Sequence, residues 1–260
     1  MQLDDAYANG KYIADADQYP ARWAAEAAVF CKNLGARASL GDSYGPSARQ
    51  VFDFFASEAD AAGTMVFVHG GYWLKFDRTY WSALAQGALA RGWNVAMVEY
   101  DLCPAVRIDE ITDQIARVVT QIAERSDLPI SLSGHSAGGH LVARMLAPGV
   151  LHPDVLKRVV GVAPISPVAD LRPLLQTSMN DAFQMDMQMA ISESPVLQPP
   201  PDTPVKIWVG AGERPVFLEQ ADSLAKAWDV AQIVVPEKHH FDIIDMMKEA
   251  ESDVIRFLTP

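Results

Sequence analysis

A serine held on a sharp turn between a buried strand and a helix constrains this chain more than any other feature. The turn is Gly134-His135-Ser136-Ala137-Gly138, of the form G-x-S-x-G. The apolar run Pro129-Ile130-Ser131-Leu132 precedes it, and the helical pattern His140-Leu141-Val142-Ala143-Arg144-Met145-Leu146 follows. Such a turn strains the backbone at Ser136 and lifts its hydroxyl clear of the sheet. The residues two before and two after must be small, because strand and helix close on each other there. The helix aims its free N–H groups and positive dipole end at negative charge developing beside the serine. Five-residue patterns also recur by chance, so the rest of the chain has to supply the partners that a serine nucleophile needs.

Around that turn the hydrophobic pattern alternates between strand and helix. Pro20 to Leu34 carries Trp23, Ala27, Phe30 and Leu34 at helical spacing, and Gly35 stops it. Strands are expected over Arg37 to Tyr44 and Arg49 to Phe55, with the turn Gly45-Pro46-Ser47 between them. Thr64 to Val68 is a near-continuous apolar strand of the kind a parallel sheet buries on both faces. A helix over Arg78 to Arg91, a strand over Asn94 to Tyr100 and an amphipathic helix over Ile108 to Arg125 follow. After the serine turn come a strand over Val159 to Ile165 and a proline- and methionine-rich stretch, with a helical piece around Ser178 to Ile191. The alternation resumes with a strand over Val205 to Val209, a helix over Pro215 to Trp228, a strand over Gln232 to Val235 and a final helix over Ile243 to Phe257. This predicts one α/β domain over 1–260, its mostly parallel sheet covered by helices on both faces, with a small cap inserted at about 167–204.

Bulk properties close off several function classes. At 260 residues the chain buries a full core, and 50% hydrophobic with 21% charged residues is an ordinary globular balance. A net charge of −12, with no basic block, leaves nothing to neutralise nucleic-acid phosphates. Met1-Gln2-Leu3-Asp4-Asp5 lacks the basic start and apolar core of a signal peptide, and no apolar run approaches the roughly 18 residues of a membrane span. Cys31 and Cys103 are two thiols far apart in the sequence, expected to be reduced. A soluble cytoplasmic protein acting on a small molecule is expected, without nucleic-acid or membrane partners and with a homodimer left open. Among the six histidines, His135 and His140 are five apart and so miss the same-face spacing of a helical ligand pair. Neither a metal nor a cofactor is expected.

A serine hydroxyl is a weak nucleophile until a base takes its proton, and the base needs an acid to orient it. On an α/β-hydrolase sheet these follow in the chain order serine, acid, histidine, at the carboxyl ends of late strands. Val205 to Val209 ends in Gly210-Ala211-Gly212-Glu213, and Gln232 to Val235 ends in Pro236-Glu237-Lys238-His239-His240. Glu213 is the expected acid, although it is one methylene longer than Asp, and Asp202, Asp222 and Asp229 stand nearby. His240 is preferred to His239 as the base, because Phe241-Asp242 follows it. The oxyanion needs backbone donors, expected from Ala137 and from Gly70, Gly71 and Tyr72 after the early buried strand. His69 is read as a hydrogen-bond partner that fixes that loop.

His69-Gly70-Gly71-Tyr72-Trp73 resembles the kynurenine formamidase (arylformamidase) branch of the α/β-hydrolases, close to the hormone-sensitive-lipase-like esterases. Tyr44-Gly45-Pro46, Tyr100 to Pro104, Gly134 to Gly139, Asp170 to Leu174, Gly210 to Phe217 and His240-Phe241-Asp242 are similar to stretches of that family. The family typically carries Asp where this chain has Glu213. The resemblance implies hydrolysis of an aryl formamide such as N-formylkynurenine through a formyl-enzyme. The alternatives are a carboxylesterase or thioesterase acting on small acyl esters, and a non-catalytic ligand-binding protein on the same fold. Because a formyl group is tiny, the pocket should serve the aryl leaving group, with walls from Tyr72, Trp73 and Phe183 and from cap residues such as Met185 and Met189. Arg172 and Lys75 are candidates to meet a substrate carboxylate.

Overall fold

Thr64 to Val68 and Ile130 to His135 are buried at every position and lie side by side at the centre of the sheet. The computed structural model describes residues 3–260; Met1 and Gln2, part of the signal-peptide reading, lie outside the described residues. The strands are β1 (Ala38–Ser43), β2 (Val51–Phe55), β3 (Thr64–Val68), β4 (Asn94–Val98), β5 (Ile130–His135), β6 (Val159–Ile165), β7 (Lys206–Gly210) and β8 (Ala231–Val235). They form one eight-stranded sheet in the order β1-β2-β4-β3-β5-β6-β7-β8. β2 runs antiparallel to both β1 and β4, and every other pairing is parallel. The helices are α1 (Tyr19–Leu34), α2 (Gln86–Ala90), α3 (Ile108–Glu124), α4 (Ala137–Arg144), α5 (Pro153–Leu156), α6 (Asn180–Phe183), α7 (Met187–Ser192), α8 (Pro215–Trp228) and α9 (Asp253–Leu258).

Two cores, one on each face of the sheet, follow from that layering. On one face the apolar stripe of α3 (Ile108, Ile111, Ile115, Val118, Val119, Ile122) packs with α4, with α8 and with Val66, Val68 and Leu132 of the sheet. On the other face Trp23 and Phe30 of α1 join Trp81, Met65, Phe67, Trp208 and the apolar side of α9. No helix among the described residues is long and apolar enough to cross a membrane.

Three expected helices are broken up. The stretch expected as one helix from Arg78 to Arg91 consists of 3-10 turns over Arg78–Tyr80 and Ser82–Ala85 followed by α2. Asp77 caps the first turn through Thr79 N–H, and the bulky Trp81 between the turns is drawn into the core. The last helix splits into a 3-10 turn, Ile243–Lys248, and α9, which Ser252 caps afresh. The helical piece around Ser178 to Ile191 divides into α6 and α7, because Gln184 takes a left-handed backbone at φ 51°.

A buried ionic cluster pins the segment between β6 and β7 to the main body. Glu193 accepts from Arg144 Nε and Nη2 at 3.1 Å each and from Thr112 Oγ1 at 2.6 Å, while its carbonyl lies 2.7 Å from His140 Nε2. The segment is therefore fixed to α3 and α4, the helix that carries the serine turn.

Candidate active site

Ser136 sits at φ 56°, ψ −113°, between the end of β5 and the start of α4. The small residues around it are required by contact. A Cβ on Gly138 would fall 1.9 Å from the carbonyl oxygen of Val68, and one on Gly134 would fall 2.2 Å from that of Gly138. Strand and helix thus approach as closely as backbones allow, which is what the spacing of the motif implies.

Glu213 follows β7 and His240 follows β8, and the two meet. Glu213 Oε2 lies 2.6 Å from His240 Nδ1, with the carboxylate side chain fully enclosed. Its other oxygen accepts from Gly210 N–H at 2.8 Å and from the Ser166 hydroxyl. Burial acts to raise the Glu213 pKa, but the imidazole, the hydroxyl and the amide outweigh it and hold the carboxyl below its ordinary range. Asp222 is tied to Lys226 on the surface of α8. His239 is turned away: its Nε2 lies 3.0 Å from the Tyr19 hydroxyl, and its Nδ1 accepts from the N–H groups of Phe241 and Asp242. Because a carboxylate only accepts, Nδ1 of His240 is the donor in this pair, and Nε2 is the ring nitrogen on the side away from Glu213. Both Ser136 and His240 line one cavity. Among the described residues Ser136 Oγ makes no hydrogen bond, and Ser136 lines the cavity.

The loop after β3 faces the serine from the other side. Gly71, Tyr72 and Trp73 take φ values of 111°, 53° and 55°, a left-handed run that turns the chain sharply back. A Cβ on Gly70 would lie 2.8 Å from the His135 carbonyl and 3.2 Å from Ser136 Cβ, so this loop and the serine turn are in contact. Ala137 opens α4, where an N–H has no partner within the helix. His69 anchors the loop: Nδ1 donates to the Gly70 carbonyl at 2.7 Å, and its carbonyl accepts from Tyr100 Oη at 2.9 Å. Its ring stacks on Tyr100 at 4.3 Å, and burial lowers its pKa to about 4, so the ring is neutral. Further along, Arg49 donates to the carbonyls of Phe76 and Tyr100. The other two conspicuous histidines differ in their contacts. His135 packs its ring 4.6 Å from that of His240 and also lines the cavity, and His140 holds the Glu193 carbonyl.

The cavity beside Ser136 has a volume of about 500 Å³. That falls within the range of small-molecule sites, about 300–1,000 Å³. Tyr72 lines it as expected, but Trp73 and Phe183 do not. Both are fully buried and meet edge to face at 5.6 Å, and Trp73 packs the same way on His140. Two successive left-handed residues send the adjacent side chains in opposite directions, Tyr72 to the cavity and Trp73 beneath the segment between β6 and β7. Met185 and Met189 belong to that same core. The aromatic wall is instead Trp23, Phe76, Trp81 and Phe241. Lys75 stands at its edge, whereas Arg172 is paired with Asp170 at 2.7 Å.

A family model described as the alpha/beta hydrolase fold matches residues 65–235 of this chain. Kynurenine formamidase of Drosophila melanogaster is 34% identical over 231 residues, covering 81% of this chain and 77% of the fly protein. The chain belongs to the kynurenine-formamidase-like α/β hydrolases. It is also similar to a Silicibacter crystal structure provisionally assigned as a thioesterase, at 54% identity and a TM-score of 0.98, with 100% of each chain covered. Esterase B of Lactobacillus rhamnosis shares the fold at 18% identity and a TM-score of 0.66, over 94% of this chain and 92% of the esterase.

What the sequence reading missed in this α/β hydrolase is its N-terminal segment. Asp4, Tyr7, Ala8, Asn9, Gly10 and Lys11 all line the cavity, whereas the segment between β6 and β7 contributes Ser178 and Met179. The 3-10 turn over Asn9–Tyr12 has no periodicity that a pattern search detects. The signal that was available is Tyr7 and Tyr12, two aromatics in an otherwise polar stretch.

Proposed function

We propose that this hydrolase is a serine enzyme that cleaves an aryl formamide through a formyl-enzyme. The reading rests on one observation: His240, held by the enclosed Glu213 carboxylate, opens together with Ser136 onto a single aromatic-walled cavity. His240 Nε2 takes the Ser136 proton as Oγ attacks the formyl carbon, and Glu213 stabilises the imidazolium. The backbone N–H groups of Ala137 and of Gly70, Gly71 and Tyr72 receive the oxyanion; one such donor contributes about 2.7–4 kcal/mol. His240 then protonates the departing aryl amine, and water clears the formyl group by the same route. The formyl hydrogen needs almost no room, so the cavity volume serves the aryl portion, and a substrate carboxylate meets Lys75.

A second reading, an esterase or thioesterase, is favoured by the 54% identity to the provisionally assigned thioesterase. Rates on N-formylkynurenine, on short-chain aryl esters and on acyl thioesters separate the two. A formamide kcat/KM at or above the others supports the formamidase, and a thioester preference overturns it. Ser136→Ala is expected to lose at least about 10³-fold on p-nitrophenyl acetate with an unchanged circular dichroism spectrum. Undiminished turnover in that variant removes the serine mechanism.

A further inference from the structure

The N-terminal segment crosses the cavity with its neighbouring polar groups paired. Asp4 accepts from Ser178 N–H at 2.6 Å, and Asp5 is bound by Lys11, Tyr12 and Arg214. The Tyr7 hydroxyl accepts from Gln220 Nε2 at 3.1 Å, and the Tyr7 carbonyl accepts from Tyr72 Oη at 2.8 Å. Gln220 in turn receives the N–H groups of Ala169 and Asp170. The Arg214 guanidinium lies 3.7 Å over the Tyr12 ring. These bonds fix the segment to the loop after β3, to α8 and to the segment between β6 and β7.

Asn9 is different. It is 6% exposed, and its Oδ1 is buried with no partner among the described residues. It is the first residue of a 3-10 turn whose N-cap is Ala8, which has no side-chain oxygen to cap it. A buried amide left unpaired destabilises the fold unless something else completes it. Its position says what that is. Asn9 lines the large cavity with Ser136 and also a cleft of about 180 Å³ lined by Gly212, Glu213 and His240. His240 also borders both spaces, so Asn9 and the imidazole that is proposed to hand a proton to the leaving group face the same two spaces.

We infer that Asn9 is a specificity-determining residue, binding a carbonyl or amino group carried by the leaving portion next to the scissile bond. The inference deepens the hydrolase reading and rests on it. A carboxamide offers a donor and an acceptor on one planar group, so either polar substituent is satisfied by rotation about its last torsion. The aromatic wall of Trp23, Phe76, Trp81 and Phe241 holds the ring, and Asn9 sets which edge of the ring faces His240. Esters and formamides whose leaving group carries such a substituent at the adjacent ring position are the substrates this arrangement selects.

The test compares 2-acetylphenyl acetate with 4-acetylphenyl acetate, isomers that carry the same carbonyl at different ring positions; their unequal intrinsic reactivity cancels when the ratio is compared between variants. In the wild-type chain kcat/KM favours the 2-isomer. Asn9→Leu, close in size without the polar groups, and Asn9→Ala are each expected to lower the ratio of the two kcat/KM values by about tenfold. Fluorophosphonate labelling of Ser136 reports the nucleophile independently of that ratio. A ratio unchanged in labelled Asn9→Leu overturns the assignment of Asn9 and leaves the serine reading standing. A fall in Asn9→Ala alone makes the residue a packing element and also overturns it. Absence of labelling in the wild-type chain removes the hydrolase reading and this inference together.

Discussion

Glu213 reaches His240 with a contact of 2.6 Å because its second carboxylate oxygen is tied back to Gly210 and Ser166. The extra methylene relative to Asp is therefore taken up by the position of the loop, not by a loose side chain. Glu213→Asp should retract the carboxylate by about one bond length and break one of its two sets of contacts. We expect kcat on p-nitrophenyl acetate to fall roughly 10- to 100-fold. Glu213→Gln, which preserves shape but not charge, should fall on the order of 10³- to 10⁴-fold. A Gln variant as active as the Asp variant would refute the role of charge at this position.

Ser166 offers a gentler probe of the same pair. It follows β6 with φ 47°, and its N–H donates to the Trp208 carbonyl at 2.7 Å, so its hydroxyl is aimed by the backbone. Ser166→Ala leaves Glu213 Oε1 with the Gly210 amide alone. It is expected to lower kcat about 3- to 10-fold with KM unchanged, because it loosens the imidazole without touching the cavity wall. Steady-state kinetics on one ester separate this from a general loss of fold, which would shift both constants.

Acid should destabilise the protein through rings that are buried without charge. Burial pushes the pKa values of His69 and His140 down to about 4. In an unfolded chain they titrate near pH 6.5. As the pH falls from about 6.5 to 4, the unfolded chain takes up protons that the folded chain refuses, so stability drops across that window. Each ring accounts for up to about 3 kcal/mol of the loss. Glu213 acts in the same direction, since its lowered pKa stabilises the fold at higher pH and ceases to do so on acidification. His140→Gln keeps a donor for the Glu193 carbonyl and removes one titrating ring. The decrease in Tm between pH 7 and pH 5 should shrink in this variant, and His152→Gln, at an exposed site, serves as the control. Equal slopes in both variants would exclude His140 as a source of acid sensitivity.

The Arg144–Glu193 pair predicts an asymmetry between single and double replacements. Removing Arg144 alone leaves a buried carboxylate whose remaining side-chain partner is Thr112. Arg144→Met should cost about 3–5 kcal/mol, a fall in Tm on the order of 10 °C. Replacing both Arg144 and Glu193 by Met should cost less than the single change, because no unpaired charge is then enclosed. A thermal melt of the three proteins is sufficient, and a double variant less stable than Arg144→Met contradicts the argument.

Much of this arrangement was legible in the sequence because backbone demands it. The serine turn requires small residues where strand and helix touch, and buried parallel strands such as Thr64–Val68 leave uninterrupted apolar runs. The placement of Glu213 after β7 and of His240 after β8 follows from strand order alone. Side-chain direction was not legible. Tyr72 and Trp73 part because both adopt a left-handed backbone that nothing in a non-glycine pair announces. The helices expected over 78–91 and 243–257 break because Trp81 and the Ile243–Lys248 turn are drawn into the core, a tertiary effect that overrides periodicity. The N-terminal segment escaped because it is held by single hydrogen bonds from distant residues, Gln220, Tyr72 and Arg214, which leave no local pattern.

The contact between the two loops around the serine yields the sharpest prediction. Gly70 has no left-handed backbone to require a glycine, so the reason for its lack of a side chain is space. An added methyl group would press on the His135 carbonyl at 2.8 Å and on Ser136 Cβ at 3.2 Å. The first of these atoms is backbone and the second is part of a strained turn, so neither yields cheaply. Gly70→Ala must therefore move the loop after β3 away from Ser136, opening the space between the proposed oxyanion donors and the proposed nucleophile. A displacement of even half an ångström spoils such donors, so kcat should fall about 100-fold or more while KM changes little. The global cost is smaller, about 1–3 kcal/mol as for other overpacked sites. Gly149→Ala places its methyl in open space but at φ 81°, so it loses stability without loss of kcat. If Gly70→Ala merely matched Gly149→Ala, losing stability with kcat intact, the loop after β3 would have no part in holding the oxyanion.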